Sequence, residues 1–372
     1  MTSAASTATP EHPELLAAAQ RGDQGAFERL IGPHRGELHA HCYRMTGSVH
    51  DADDALQDAM LRAWRSLSKF QGKSSLRSWL YKIATNTCLD LINKRPQRVL
   101  PIDYGPPSDP HDGPGQPLVE SVWVEPYPDE QIGLVDGYAG PEARYEMRES
   151  VELAFIAALQ NLPANQRAVL IMREVLGFSA QEAADLLETT PQSVNSALQR
   201  ARASVDEKLP DQSQQENLRT LGDDELQKIV GNYMDAIQAG DVNRMVSMLA
   251  EDAAWSMPPL ATWYFGDQLH DFLSVGPLSG DWRWKHVPTR ANGQPAIGCY
   301  TWDENEQAYM PFCVDVLTLE GDRIKEVTAF IVKVTKPEDD REYYKRFPDA
   351  AIDPERKVAV FDRFGLPDRI EA

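Results

Sequence analysis

The chain has 372 residues, 42% of them hydrophobic and 25% charged, with a formal net charge of −20. That length calls for two or three domains, and no stretch approaches the ~20 consecutive apolar residues that cross a bilayer. Cys42, Cys88, Cys299 and Cys313 are scattered and form no CxxC pair, which indicates neither a zinc module nor a disulfide framework.

Met1 to Pro10 is small and polar and lacks the basic start and apolar run of a signal peptide, so a cytoplasmic protein with no membrane association is expected. A helix is expected over Glu14–Leu30, broken near Gly22, with the helical pattern resuming over Arg35–Met45. His34, His39, His41 and Cys42 fall together here. They read either as ligands of one metal site or, more simply, as a histidine-rich helix surface, and no metal or cofactor is expected. After Gly47-Ser48 a strong helix runs from Asp51 to Leu67, opening on acids that suit a helix N-terminus. Phe70–Ser75 is a polar loop, and Leu76–Lys94 is helical until Pro96 stops it.

Charge is placed unevenly. Lys69 to Arg98 holds seven basic residues and one acid, whereas Pro101 to Glu146 holds ten acids and one base. The acidic stretch is rich in Pro and Gly and loses helical periodicity, as a linker does. Glu142–Leu162 is helical again. Ser179 and Glu182 then have the spacing of a capping box, and Thr190-Pro191 opens a second short helix, which together make a helix-turn-helix signature. Asp211–Asn217 is polar and Gln-rich, as a linker would be. Leu226–Ala239 and Val242–Leu249 read as amphipathic helices, and Phe312–Leu319 and Thr328–Val334 as strands joined at Glu320-Gly321-Asp322. The tail from Lys336 to Ala372 is charged and mixed.

Three of these stretches resemble known families. Asp51–Trp64, Phe70–Asn86 and Asp90–Arg95 resemble domain 2 of the extracytoplasmic-function sigma factors, and Leu162–Arg167, Gly177–Asp185 and Ser193–Arg202 resemble their domain 4. Tyr233–Met245 and Leu249–Pro258 look like a SnoaL-like domain of the nuclear-transport-factor cone fold. The resemblance implies a multidomain chain: all-α sigma domain 2 at 1–98, an acidic linker at 99–141, helix-turn-helix domain 4 at 142–210, a linker at 211–221, an α+β SnoaL-like domain at 222–335 and a tail at 336–372.

It also implies a role for each part. Domain 2 would dock on the β′ clamp helices of core RNA polymerase, which also offers its β subunit as a partner; Asp54, Gln57 and Asp58 are the expected contacts. Single-strand capture at the promoter −10 element needs cations along the backbone and flat side chains for stacking. Lys73, Arg77, Lys82, Lys94 and Arg95 suit phosphates, Trp79 or Tyr81 suits stacking, and Asn86 suits a base edge. The second helix of domain 4 would enter the major groove of the −35 element, bringing Gln192, Ser193, Asn195, Ser196, Gln199, Arg200 and Arg202 to bases and phosphates. The ten linker acids read equally as a mimic of nucleic acid in a basic polymerase channel and as a solvated tether.

In the C-terminal domain Trp255, Met257, Trp263, Tyr264 and Trp302 read either as the lining of an apolar ligand pocket or as a plain aromatic core. Asp315 and His286 are the residues an enzyme of this scaffold would use as acid or base. The expectation is a non-enzymatic sigma factor with a C-terminal domain that regulates it in cis, open to a small ligand or an anti-sigma factor. The alternatives are a bifunctional protein with an enzymatic C-terminal domain, and a stand-alone repressor.

Overall fold

Side-chain caps set where the helices begin. Asp23, Ser48, Ser75, Ser179, Thr190, Ser213, Asp241 and Asp353 each accept a hydrogen bond from a backbone N–H in the first turn that follows. Ser179 and Glu182 form the reciprocal capping box. The computed structural model describes residues 13–112, 118, 122–132, 148–210, 212–334 and 351–372. The chain folds as two units that interleave along the sequence: unit 1 takes 1–97 and 130–209, unit 2 takes 98–129 and 210–372.

The first helical block of unit 1 contains helices Pro13–Gln20, Gln24–Ile31, Arg35–Thr46, Val49–Ser66 and Leu76–Ile92. The second contains Leu153–Gln160, Ala164–Leu170, Ala180–Leu186 and Pro191–Asp206. The helix expected over Glu142–Leu162 is broken within the described residues: Arg148 and Glu149 are helical, a turn follows at Ser150-Val151, and a separate helix begins at Leu153; residues 142–147 lie outside the described residues.

The two blocks are packed on one another through buried polar side chains. Arg44, 2% exposed, donates to the carbonyl and hydroxyl of Ser150, and the Gln160 amide donates to the Arg44 carbonyl at 3.2 Å. Arg167, 4% exposed, donates to the Met45, Gln160 and Leu162 carbonyls. Gly47 ends helix Arg35–Thr46 with a φ of +69°, and a Cβ there would lie 2.9 Å from Gln160 Cδ. Left-handed backbone and close approach both favour glycine.

His41 gives unit 1 a pH dependence. It is buried, bonds Thr85 Oγ1 at 2.9 Å, and is held down to about 3 by burial and by the charges of Arg44 and Arg77. The folded chain therefore refuses a proton that the unfolded chain accepts below its ordinary 6.5. Stability is complete above that pH and is lost as pH falls from there toward 3. Unit 1 is expected to lose about 2 kcal/mol between pH 7 and pH 5 through this group. His41→Gln should flatten that part of the slope in urea titrations, and an unchanged slope would assign it elsewhere.

Unit 2 is built on a six-stranded sheet in the order β2-β1-β6-β5-β4-β3. The strands are β1 Leu249–Ser256, β2 Trp263–Phe265, β3 Trp284–Ala291, β4 Gln294–Asp303, β5 Ala308–Glu320 and β6 Arg323–Ile331; β1 and β6 are parallel, the other neighbours antiparallel. Helices Asp223–Ala239, Val242–Met248 and Gln268–Val275 close a core around Tyr233, Trp255, Tyr264, Phe272 and Leu317.

Three stretches that read as connections or tail are part of this unit. Gln214–Leu221 is a helix, and its amides complete the backbone of the β5–β6 hairpin. Gln214 exchanges two hydrogen bonds with Leu319, and Asn217 exchanges two with Gly321. In the tail, β8 Ala351–Ile352 pairs with β7 Lys333–Val334, Arg356 bonds the Ile331 carbonyl at 2.7 Å, and Phe361 packs edge-on to Tyr300. The third stretch is 98–129. Trp123, Val124 and Tyr127 are at most 1% exposed. The Tyr127 N–H donates to Asn292 Oδ1 and its carbonyl accepts from the Asn292 N–H, both at 2.8 Å. Asp129 accepts from Arg290 at 3.0 Å and from the Gly293 N–H at 2.7 Å, and the Trp263 indole donates to the Gly105 carbonyl at 2.8 Å.

Candidate functional site

Helix Val49–Ser66 buries Ala52, Ala55, Leu56, Ala59, Met60 and Ala63, so the opposite face is exposed. Asp54, Gln57 and Asp58 all lie on that face at the spacing of neighbouring helical turns. Leu61, 48% exposed, falls on it as well. It was not among the contacts expected from the sequence; its offset from the buried positions was the available signal. Asp54 pairs with His50 at 3.7 Å and Asp58 with Arg62 at 2.9 Å.

The residues expected at the −10 element do not share one environment. Lys73 and Lys94 are exposed. Arg95 is exposed but pairs with the buried Asp51 at 2.6 Å. Arg77 pairs with Glu37 at 3.0 Å and lies over the Tyr81 ring at 4.8 Å. Burial alone would raise Glu37, yet hydrogen bonds from His34 and Arg77 hold it below the usual carboxylate range. Trp79, Lys82 and Asn86 are half-buried along one side of helix Leu76–Ile92; Trp79 packs on Phe70 at 5.1 Å, and Lys82 pairs with Glu188 of the second helical block at 3.0 Å. Tyr81 is fully buried and donates to Glu37 Oε2 at 3.1 Å, so in this arrangement it offers no face for stacking.

The second helix of the helix-turn-helix, Pro191–Asp206, buries Val194, Leu198, Ala201 and Val205. Gln192, Ser193, Asn195, Ser196, Gln199, Arg200 and Arg202 are all exposed. Gln192, Asn195, Ser196 and Gln199 form the central line of that surface, flanked by Arg200 on one side and by Arg202 on the other. Ser193 shares a hydroxyl contact with the cap Thr190 at 2.9 Å, and Arg202 pairs with Glu174 at 2.7 Å.

The histidine cluster goes to three separate partners: His34 to Glu37, His39 to Asp53 and His41 to Thr85. Cys42, Cys88, Cys299 and Cys313 are free and buried.

Unit 2 holds a cavity of about 520 Å³, part of it open to solvent. Its walls include Trp255, Met257, Phe272, Trp282, Trp284 and Phe312, and Cys299, Cys313 and Asp315 lie at its polar end. Trp255 and Met257 were expected there. Trp263, Tyr264 and Trp302 are elsewhere: Trp263 bonds Gly105, Tyr264 stacks on Phe272 at 4.3 Å away from the opening, and Trp302 packs on Tyr309 beneath Arg283. Strand alternation turns Trp263 away from the core, whereas Tyr264 faces the core and is covered there by Phe272. Asp315 accepts from Tyr233 at 2.8 Å, Cys299 at 3.2 Å and Cys313 at 3.1 Å. Burial makes its carboxyl hold a proton more tightly than usual, and pushes the Cys299 thiol up to about 12. Among the described residues, Cys299, Cys313 and Asp315 are a trio whose ligand atoms converge within 4.8 Å. His286 stacks on Trp284, has no hydrogen-bond partner at either ring nitrogen, and is held down to about 4 by burial.

Three family models match the chain: Sigma-70 region 2 at residues 30–97, Sigma-70 region 4 at 152–205 and the SnoaL-like domain at 230–327. The ECF RNA polymerase sigma factor SigG of Mycobacterium tuberculosis is 38% identical over 349 residues, which are 93% of this chain and 85% of that protein. SigM of the same organism, also an ECF sigma factor, is 31% identical over 192 residues, 52% of this chain and 81% of its own. The crystal structure of the M. tuberculosis ECF sigma factor SigJ matches with a TM-score of 0.52 over 82% of this chain and 95% of its own, at 19% identity, a likeness of fold. No described helix is long and apolar enough to cross a membrane.

Proposed function

The chain belongs to the extracytoplasmic-function sigma factors, and from that premise we propose how its parts divide the work of promoter-specific initiation. It binds core RNA polymerase and directs it to promoters, work that takes place in the cytoplasm. Asp54, Gln57 and Asp58, with Leu61 beside them, form the polymerase-docking face. Lys73, Arg77, Trp79, Lys82, Asn86, Lys94 and Arg95 serve the −10 element, and the exposed line of helix Pro191–Asp206 reads the −35 element.

The two elements are roughly 25 base pairs apart, about 85 Å at 3.4 Å per step. The blocks that contact them are in direct side-chain contact in unit 1, and Lys82 and Arg77 are engaged in ion pairs there. Both cations must exchange a protein carboxylate for a phosphate, and because the carboxylate on Lys82 is Glu188 of the second block, the blocks separate before the promoter is engaged. The segment that spans the gap is the one that includes 98–129.

The observation that carries the regulatory reading is that this segment is built into unit 2. We read the SnoaL-like unit as a cis-regulator that holds the span and so opposes separation of the blocks. Its cavity is a ligand site and not a catalytic one, because Asp315 is committed to three internal donors.

Run-off transcription with core polymerase tests this reading. Asp129→Ala with Asn292→Gly loosens the grip on the segment by deleting the side-chain bonds to Arg290, the Gly293 N–H and the Tyr127 N–H, and glycine keeps the φ of 56° that Asn292 adopts. The folded double variant should give several-fold more transcript than the native chain. Equal yields from the two would overturn regulation through the span.

A further inference from the structure

The cavity in unit 2 has an unusual balance of charge. Its lining contains no lysine, arginine or histidine, and Asp315 is its one acid. That carboxyl is 2% exposed, and the groups that hydrogen-bond it, a phenol and two thiols, are neutral. A buried carboxylate without a cation is costly, and three neutral donors offset only part of that cost.

The walls supply the complementary feature. Trp282 and Trp284 stack at 5.2 Å with 16° between planes, and Phe312 stands edge-on to both, at 5.2 Å and 5.4 Å. Trp255 closes another side, edge-on to Phe272 at 5.8 Å. Aromatic faces carry negative quadrupole potential and attract cations, most strongly where water is excluded. A neutral hydrocarbon would gain burial here and nothing from Asp315. An anion would be repelled by acid and rings alike.

We propose that this cavity binds a small lipophilic cation, a substituted ammonium ion, with its charge against Asp315 and its carbon body between Trp255, Trp282, Trp284 and Phe312. The assignment rests on the cavity being a ligand site and adds the class of ligand. Occupancy would give the C-terminal unit a chemical input to its hold on the span.

The test uses the full chain and three probes of similar size: phenyltrimethylammonium, its neutral carbon isostere tert-butylbenzene, and benzenesulfonate. Binding is read by tryptophan fluorescence and by calorimetry. The cation should bind at least tenfold more tightly than the hydrocarbon, and the sulfonate should not bind. Asp315→Asn should cost the cation tenfold or more and leave the hydrocarbon within about twofold. Trp282→Leu leaves the acid in place and should weaken the cation more than the hydrocarbon, which keeps the test decisive if Asp315→Asn fails to fold. Equal affinity for cation and hydrocarbon, or a preference for the sulfonate, would overturn the ammonium assignment and leave the ligand site standing. Binding of none of the three would sink the ligand site itself. Zinc that displaces the cation from the native chain but not from Cys299→Ser would assign the polar end to a metal and overturn the proposal.

Discussion

Arg167→Met is expected to lower the unfolding free energy of unit 1 by about 3–4 kcal/mol. The guanidinium is buried with no carboxylate beside it, and burial pushes it down to about 10. What holds it is a set of carbonyls at helix ends: Met45 near the end of Arg35–Thr46, and Gln160 and Leu162 at and beyond the end of Leu153–Gln160. Such carbonyls have no partner within their own helices, and a cation there also meets the negative end of the helix dipoles. Methionine fills most of the volume and bonds none of them, and each buried carbonyl left alone costs about 1–3 kcal/mol. Removing a buried charge returns some of that, which sets the net figure. Urea denaturation should register it as a lower midpoint with little change in slope. A loss below 1 kcal/mol would mean that water reaches the vacated carbonyls.

The second large effect is expected from ending the chain at Gln212. A sequence-based division would cut there to isolate the sigma regions. The structure gives that cut a different consequence, because 98–129 stays attached while its partners leave. Leu100, Trp123, Val124 and Tyr127, each at most 3% exposed, would lose cover together. At roughly 1.5–3 kcal/mol for each large apolar side chain, the burial lost is on the order of 6–12 kcal/mol. The shortened chain should bind a hydrophobic dye strongly and be cleaved by protease first within 98–129, while unit 1 still unfolds cooperatively. A segment as resistant to protease as in the full chain would show that it has a second resting place.

Much of the helical architecture was legible because its signals are local. Ser179 and Thr190 cap helices as their sequence spacing indicates, and the exposed line of Gln192, Asn195, Ser196 and Gln199 follows from the helical repeat alone; Ser48 read only as a break, yet it caps a helix that starts at Val49 and not at Asp51. Long-range polar contacts left no such trace. Gln214, Gln215 and Asn217 look like linker residues because amides are common in linkers, yet all three are buried and bond backbone groups of the sheet. The acidic stretch misled in the same way. Its charge and prolines describe a solvated tether, and the contrary sign was the presence of Trp123 and Tyr127 within it. In the cavity, the aromatic richness of the domain was readable, but which rings face inward depends on strand register. Trp255 and Met257, two apart, share the inner face, whereas Tyr300 faces the tail and packs on Phe361.

The interleaving of the two units also orders events on the ribosome. Tyr127 and Asn292 are 165 residues apart. At the usual 5–20 residues per second, roughly 8–33 seconds pass between synthesis of one and synthesis of the other. Unit 1 is complete in sequence at Leu209, so its helices can assemble while residues 98–129 have nothing yet to dock on. Each newly made molecule thus passes through an interval in which its span is unheld, and restraint arrives only with the last third of translation.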